Sequence, residues 1–383
     1  MRRNRLLVAA IAMSCAALSL SCSKSVKDDA DSGGEATTTT EATTRTTRGV
    51  TDSSVKVGGI SYGVYFGDAG LGVEARIKKA NDAGGVHGRK IEFLGTQEDN
   101  NDATKGLDLF LFLGDNHYGN TPYVEAHRFQ YRRLDAIPGR RDLLANVPAL
   151  AIWDDHDFVA NNSDGACGGR EDALRAFKEA WPNPSFGLPA TPGVFTRARF
   201  GPVELVLADC RYHRPRVDDP ERRCTLDGAP QLTWLVDALS TSTAPFKIVA
   251  CGSLFTGGTV DSWASFPAAR DALFAQLAAK KIPGVVLASG DIHRSEIRVT
   301  PRATGYPLTE LVSSPMAQFP IASEPGRTAC NGADPNRRFC YPWDSFVTVE
   351  VDGSLADPTL VAVVHDETGA EKYRHTLRRS ELQ

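Results

Sequence analysis

The sequence contains no C-x-x-C pair, which argues against a thiolate zinc knuckle. It has no internal repeat. It has little net charge: the formal value is -4, so nothing points to nucleic acid as a partner. Its apolar run from Leu6 to Leu20 is too short to span as a stable membrane helix. Residues 23–49 almost lack large apolar side chains and are rich in Thr, Ser, Asp, Glu and Gly. Such a segment cannot bury enough surface to offset its ordering entropy, and it reads as a disordered tether.

What precedes the tether has a defined character. Met1-Arg2-Arg3-Asn4-Arg5 is a basic start, Leu6 to Leu20 is mostly apolar, and small residues lead to Ser21-Cys22. This is the pattern of an export signal over residues 1–22, of lipoprotein type, with lipidation at Cys22 after cleavage. Ser19 stands where an aliphatic residue is usual, so ordinary secretion is the alternative. Membrane contact is expected through a lipid anchor only. Beyond the signal lie Cys167, Cys210, Cys224, Cys251, Cys330 and Cys340, an even number that suggests disulfides in an exported chain. The nearest neighbours are Cys210 with Cys224 and Cys330 with Cys340.

The most informative stretch is Ala149-Leu150-Ala151-Ile152-Trp153-Asp154-Asp155-His156-Asp157. It begins as a continuous apolar run, the pattern of a buried strand, and ends in three carboxylates and an imidazole. Open α/β folds build their sites at the carboxyl edge of the sheet. Two further apolar runs end in the same way. Leu107 to Leu113 leads to Gly114-Asp115-Asn116-His117-Tyr118, and Gly284 to Ala288 leads to Ser289-Gly290-Asp291-Ile292-His293. The glycines let the backbone turn sharply, so that the next side chain reaches inward. Two cations about 3.5–4 Å apart need a bridging carboxylate and several O/N ligands, which three such strand ends supply. Such a pair clamps a phosphate and activates a water, while a histidine off the metals assists the leaving group. Each residue also has a plainer role open to it. Tyr118 suits a buried hydrogen-bonded phenol, Asp154 and Asp157 suit the cap of a helix or turn, and His293 suits a core histidine. His127, His213, His365 and His375 show no ligand pattern and read as surface residues, and Asp209 and Arg211 as mostly structural.

Organisation changes near residue 105. Residues 50–105 read as one β-α-β unit: a strand at 55–60, a helix at 72–83 stopped by Gly84-Gly85, and a strand at 91–94. The run Asn81-Asp82-Ala83-Gly84-Gly85-Val86-His87-Gly88-Arg89-Lys90-Ile91 resembles the start of branched-chain amino-acid-binding lipoproteins of ABC transporters. That resemblance implies a substrate-binding lipoprotein, but no second lobe of binding-protein type follows. From 106 to 383 strands and helices alternate and then strands dominate. This gives strands at 149–153, 203–207, 246–250, 284–288, 310–312, 346–351 and 360–364, and helices at 124–144, 170–181, 230–239 and 268–280.

From about Leu107 onward the Trp-Asp-Asp-His-Asp cluster, Ser289-Gly290-Asp291-Ile292-His293 and Val312-Ser313-Ser314-Pro315 resemble the calcineurin-like metallophosphoesterases, and within them the alkaline phosphatase D (PhoD-like) family. The resemblance implies an α/β fold, a four-layer calcineurin-like metallophosphoesterase sandwich, here with its N-terminal part replaced by the β-α-β fragment. It implies hydrolysis of phosphate ester substrates with two metal ions, iron plus calcium or another divalent ion such as zinc or manganese. Asp115 would bridge the metals, Tyr118 would bind iron, Asp155, Asp291 and His293 would be ligands, and His156 would be catalytic. Asn116, Asp154 and Asp157 would support the ligands. The family begins its catalytic domain with an earlier strand and a first ligand motif, and no Asp-x-His or Gly-Ser-Cys element precedes Leu107. The sequence therefore reads as a chimera whose β-α-β unit takes part of the missing sheet edge and whose first metal site lacks a ligand. A catalytically incomplete remnant is the third reading.

Overall fold

The computed structural model describes residues 4–9, 53–61, 69–98, 107–216, 230–258, 261–316 and 330–383. It divides into two compact units, Met1–Cys15 with Leu107–Gln383, and Ala16–Gly106.

In the smaller unit Ser54–Ser61 (β2) and Lys90–Glu98 (β3) pair in parallel around the helix Ala69–Asp82. Gly84 and Gly85 end that helix at φ 101° and 80°, the left-handed backbone that glycine adopts without cost. Asn81 then ties the turn to β3, donating to the Ile91 carbonyl at 2.8 Å and accepting from the Ile91 N–H at 2.7 Å.

The larger unit is built on two mixed sheets. One comprises Asn4–Ala9 (β1), Leu109–Leu113 (β4), Ala149–Ile152 (β5), Ser345–Asp352 (β13), Thr359–Asp366 (β14) and Glu371–Arg378 (β15), in the order β15-β14-β13-β1-β4-β5. The other comprises Thr196–Phe200 (β6), Val203–Leu207 (β7), Phe246–Ala250 (β8), Val285–Ser289 (β9), Ser295–Thr300 (β10), Leu308–Val312 (β11) and Arg337–Tyr341 (β12), in the order β12-β10-β11-β9-β8-β7-β6. Strands β4, β7, β8, β9 and β11 are buried along their whole length, as their uninterrupted Leu, Val, Ile and Phe runs require. Side chains of both sheets join one continuous apolar cluster that includes Phe110, Phe112, Trp153, Phe246, Val286 and Val349. The helices Val124–Asp135 and Arg170–Ala180 pack together, and Pro230–Thr241 lies against β7 and the helix Pro267–Ala279.

Three expectations change. The β-α-β unit does not complete the larger sheet: β2 and β3 form a two-stranded sheet of their own. The place beside β4 goes to β1, parallel to β4 from Leu6↔Leu109 to Ala9↔Phe112 and antiparallel to β13. Part of the segment with export-signal character thus lies inside the sheet. Cys22 and the tether at 23–49 fall outside the described residues. The expected helix at 124–144 is two helices, Val124–Asp135 and Pro138–Asn146, because Pro138 cannot continue the first and instead starts the second. Cys330 and Cys340 are joined by a disulfide, whereas Cys210 is a free, buried thiol and Cys224 lies outside the described residues.

Candidate metal centre

Strands β4, β5, β7, β8 and β9 converge their carboxyl ends on one buried acidic cluster. At the end of β4, Gly114 turns at φ 89° and Asp115 follows at φ 49°. At the end of β9, Asp291 and His293 hold φ 71° and 52°. Positive φ at non-glycine residues costs free energy and persists only where surroundings impose it, as at functional sites. Asp154 is wedged between two of these turns. A Cβ at Gly114 would lie 2.6 Å from the Asp154 Cβ, and so would one at Gly252, past the end of β8. Gly252→Ala should therefore destabilise the fold by about 1–3 kcal/mol and displace Asp154; a denaturation midpoint equal to the parent's would show that the wedge is slack.

Two triads of ligand atoms each lie within 4.8 Å of one another: Asp115, Asp155 and His156, and Asp154, Asp155 and Asp291. Asp155 belongs to both triads. Tyr118 donates to Asp115 Oδ2 at 2.9 Å, and its hydroxyl lies 3.1 Å from His293 Nε2. Tyr118 and His293 therefore meet on Asp115's side of the cluster. The Ser314 hydroxyl accepts the His293 N–H at 3.2 Å and fixes that turn.

His156 is the second residue of the short helix Asp155–Phe158 and stacks on Tyr118, ring centres 4.0 Å apart. Its Nδ1 lies 2.7 Å from Asn120 Oδ1. An amide oxygen accepts, so Nδ1 carries the proton and Nε2 is left for other chemistry. Asn120, itself at φ 45°, carried no sequence signal beyond its nearness to Tyr118.

Asp157 acts as a clamp. Its Oδ1 accepts the Asp154 N–H at 2.8 Å, and its Oδ2 accepts the Asn116 side-chain amide at 2.6 Å and backbone N–H at 3.2 Å. Asn116 also donates to the Ile152 carbonyl at 2.9 Å. These bonds lock the β4 turn to the β5 turn, so Asn116 and Asp157 set the spacing of Asp115 and Asp155.

The cationic side of the site is larger than its sequence pattern suggests. Arg211, past the end of β7, is fully buried. Its Nε donates to Asp154 Oδ1 at 2.6 Å, its Nη1 to the Ser163 carbonyl at 3.2 Å, and its Nη2 to Ser253 Oγ at 3.0 Å and to Asp261. Arg214 donates to Asp261 Oδ1 at 2.5 Å and to Ser253 Oγ at 3.0 Å. The signal for this layer is the pair of turns after β7 and β8, Cys210-Arg211 and Gly252-Ser253, which repeat the strand-end pattern with a guanidinium and a hydroxyl. Asp209 is structural, accepting from Trp153 Nε1 at 2.8 Å and from three backbone N–H groups. His127 and His365 are buried rather than on the surface. His127 packs on His117, whose pKa burial and that neighbour push down to about 3, so His117 stays neutral.

The cluster is electrostatically loaded. Burial raises Asp115 well above the carboxylate range, and Asp155, Asp157 and Asp291 add to this. Burial and Asp155 push Asp291 up to about 7, and burial pushes Asp157 up to about 7. Burial works against the charge on Asp155 too, but Arg211, His156 and N–H donation from Asn162 at 2.6 Å hold it below its ordinary value. Asp115 and Asp155 thus titrate as a coupled pair, with the field of Arg211 and His156 favouring charge on the Asp155 side. Asp154 Oδ2 and Asn116 Oδ1 are buried and find no hydrogen-bond partner among the described residues. Orphaned acceptors inside a crowded carboxylate cluster need a positive charge, and the donor set of carboxylate oxygens, phenol and imidazole suits hard and borderline cations.

Two mixed sheets with acidic turns at their carboxyl ends define the calcineurin-like metallophosphoesterase fold. The PhoD-like phosphatase model matches residues 99–342, and the chain belongs to that family. It is 24% identical to alkaline phosphatase D of Bacillus subtilis, over 50% of this chain and 42% of that relative's length. A solved structure of PhoD superposes with a TM-score of 0.54 at 19% identity, over 73% of this chain and 68% of that one. The purple acid phosphatase PPD1 from yellow lupin seeds gives a TM-score of 0.50 at 13% identity, over 72% of this chain and 47% of that one.

Proposed function

We propose that this protein is an exported, metal-dependent phosphoesterase that hydrolyses phosphate mono- or diesters with a cation-activated water. The observation that supports the reading is the place of Asp155 in two ligand triads, one with Asp115 and His156 and one with Asp154 and Asp291, the His156 Nδ1 being already engaged. Asp115, Tyr118, Asp155, Asp291 and His293 would hold two ions, iron with calcium or with zinc or manganese. Cations bound there would neutralise phosphate charge and lower the pKa of a nucleophilic water. The protein's own residues do the rest. Arg211 opposes the burial that raises the Asp154 pKa and holds that side chain in place, Asp157 fixes the spacing of the two turns, and Asn120 with Tyr118 orients His156. His156 Nε2 is the position from which a proton is exchanged with the leaving-group oxygen.

The test is hydrolysis of an aryl phosphate by the full chain. Chelation should abolish turnover, and His156→Ala should lower kcat by about 10²–10⁴-fold with little change in bound metal. Absence of turnover with every metal tried, in folded protein, would overturn the reading. The family match leaves only the stretch before residue 99 for the alternative of a solute-binding lipoprotein of an ABC importer.

A specific observation favours a second reading, a catalytically incomplete remnant. Strand β1 runs parallel to β4, so its carboxyl end falls on the same edge as the acidic turns, yet it continues as Ala10-Ile11-Ala12-Met13, without a carboxylate or imidazole. Metal analysis separates the two: two tightly held ions per chain support the enzyme, one supports the remnant.

A further inference from the structure

The two oxygens of Asp154 are treated differently by the fold. Oδ1 accepts from Arg211 Nε at 2.6 Å, from Ser253 Oγ at 3.0 Å and from Cys210 Sγ at 3.5 Å. Oδ2 is buried and accepts no hydrogen bond among the described residues. The side chain has little freedom to exchange the two. Its carboxylate is tied down through Oδ1, and the chain passes so close at Gly114 and Gly252 that a Cβ on either would lie 2.6 Å from the Asp154 Cβ. A carboxylate oxygen fixed in this way, with no donor of its own, costs free energy unless a positive charge meets it.

What lies nearby is more negative charge. Asp154, Asp155 and Asp291 each bring one ligand oxygen within 4.8 Å of the other two. With Asp261 counted, four carboxylates share two guanidiniums, those of Arg211 and Arg214. The triad is open on one side: Asp154 and Asp155 are buried, but Asp291 is half-buried. Two of these residues follow β5 and the third follows β9. None comes from the end of β1, where the ligand motif is missing, or from β4. Three carboxylate oxygens without nitrogen or sulfur suit a hard cation, whose remaining positions are taken by water.

We propose that Asp154 is itself a metal ligand, its Oδ2 joining Asp155 and Asp291 around a hard, oxygen-seeking cation. This site is complete without a ligand from β1. The inference rests on the acidic cluster being a metal centre, but not on its hydrolysing a phosphate ester.

The experiment is titration of the metal-free full chain with terbium(III), a hard ion whose luminescence lifetimes in H2O and D2O count the waters bound to it. One terbium per chain should bind ahead of any other. Asp154→Ala leaves room for a solvent molecule in place of the carboxylate. It should weaken that ion about tenfold or more and raise its water count by about one. Ser253→Ala removes a donor to Oδ1 and leaves Oδ2 untouched, so the water count should stay at the parent's value. Tyr118→Phe alters the other side of the cluster and should leave the first terbium within about twofold of the parent. If Asp154→Ala fails to fold, judged by circular dichroism, Asp154→Asn carries the test, with the same shape and no charge, and it should also bind about tenfold more weakly.

Parent-like affinity in the Asp154 variant overturns the proposal. So does weaker binding with an unchanged water count in Asp154→Ala, which would make Asp154 a positioning residue only. Either result, beside aryl phosphate hydrolysis by the parent, sinks this inference and leaves the phosphoesterase reading standing. A parent chain that binds no terbium overturns the inference and the metal centre together.

Discussion

Held in chelator, the protein should lose stability as pH rises from about 4 to about 8. Asp291 and Asp157 are both pushed up to about 7 from an ordinary 3.8, chiefly by burial, and Asp115 is raised as well. When the folded pKa exceeds the unfolded one, the folded state binds the extra proton between them. The associated stability is complete below pH 3.8 and lost as pH passes 7. A shift of that size corresponds to about 4 kcal/mol per carboxylate as an upper bound, and the coupling of the groups reduces the sum. Saturating divalent metal should reverse the trend, because ligands must be deprotonated to bind, so binding strengthens as pH rises. Urea midpoints at pH 5, 6, 7 and 8, with and without metal, measure both slopes. A metal-free midpoint that is flat or climbs with pH would contradict the picture of a strained acidic cluster.

Removing Arg211 should be the most damaging single substitution outside the apolar core. Its guanidinium is fully buried and faces Asp154 and Asp261, both buried too. Arg211→Met keeps the volume but strands Asp154 without its counter-charge, while Asp261 keeps Arg214, and breaking a buried pair in this way costs about 3–5 kcal/mol. Asp154→Asn added to Arg211→Met should recover part of that loss, since the stranded carboxylate is gone. If the double variant is no more stable than the single, the damage lies in packing rather than charge. Arg211→Met should also lose metal, because Arg211 lowers the pKa of both Asp154 and Asp155, and without it both rise.

The fold was legible in the sequence where apolar runs are continuous. Strands β4, β7, β8 and β9 stand where their Leu, Val, Ile and Phe runs put them, because a strand buried on both faces needs no polar alternation. The strands without a sequence signal are those that cannot show such a run. Strands β6, β12 and β15 lie at sheet edges, where charged side chains such as Arg197, Arg338 and Lys372 suppress unwanted pairing. Strand β10 carries Glu296 and Arg298, which are buried only because they pair with each other at 2.6 Å, while Arg294 and Arg337 also reach Glu296. Period-two reading treats such charges as exposed. The acidic half of the site was legible for the same reason as the strands: burying carboxylates directly after an apolar run is costly unless a cation or a donor network receives them. The basic half was not. Arg211 and Arg214, in the loop after β7, meet Asp261, in the loop after β8, and no spacing in one dimension announces that meeting.

The position of Asn4–Ala9 has a bearing on maturation. The same six residues cannot both leave with a clipped leader and remain the rung between β4 and β13. Scission near Cys22 would turn one six-stranded ladder into a pair, β4-β5, and a triplet, β13-β14-β15, each with a raw backbone edge. Retention of Asn4–Ala9 and integrity of the ladder are, in this chain, a single choice.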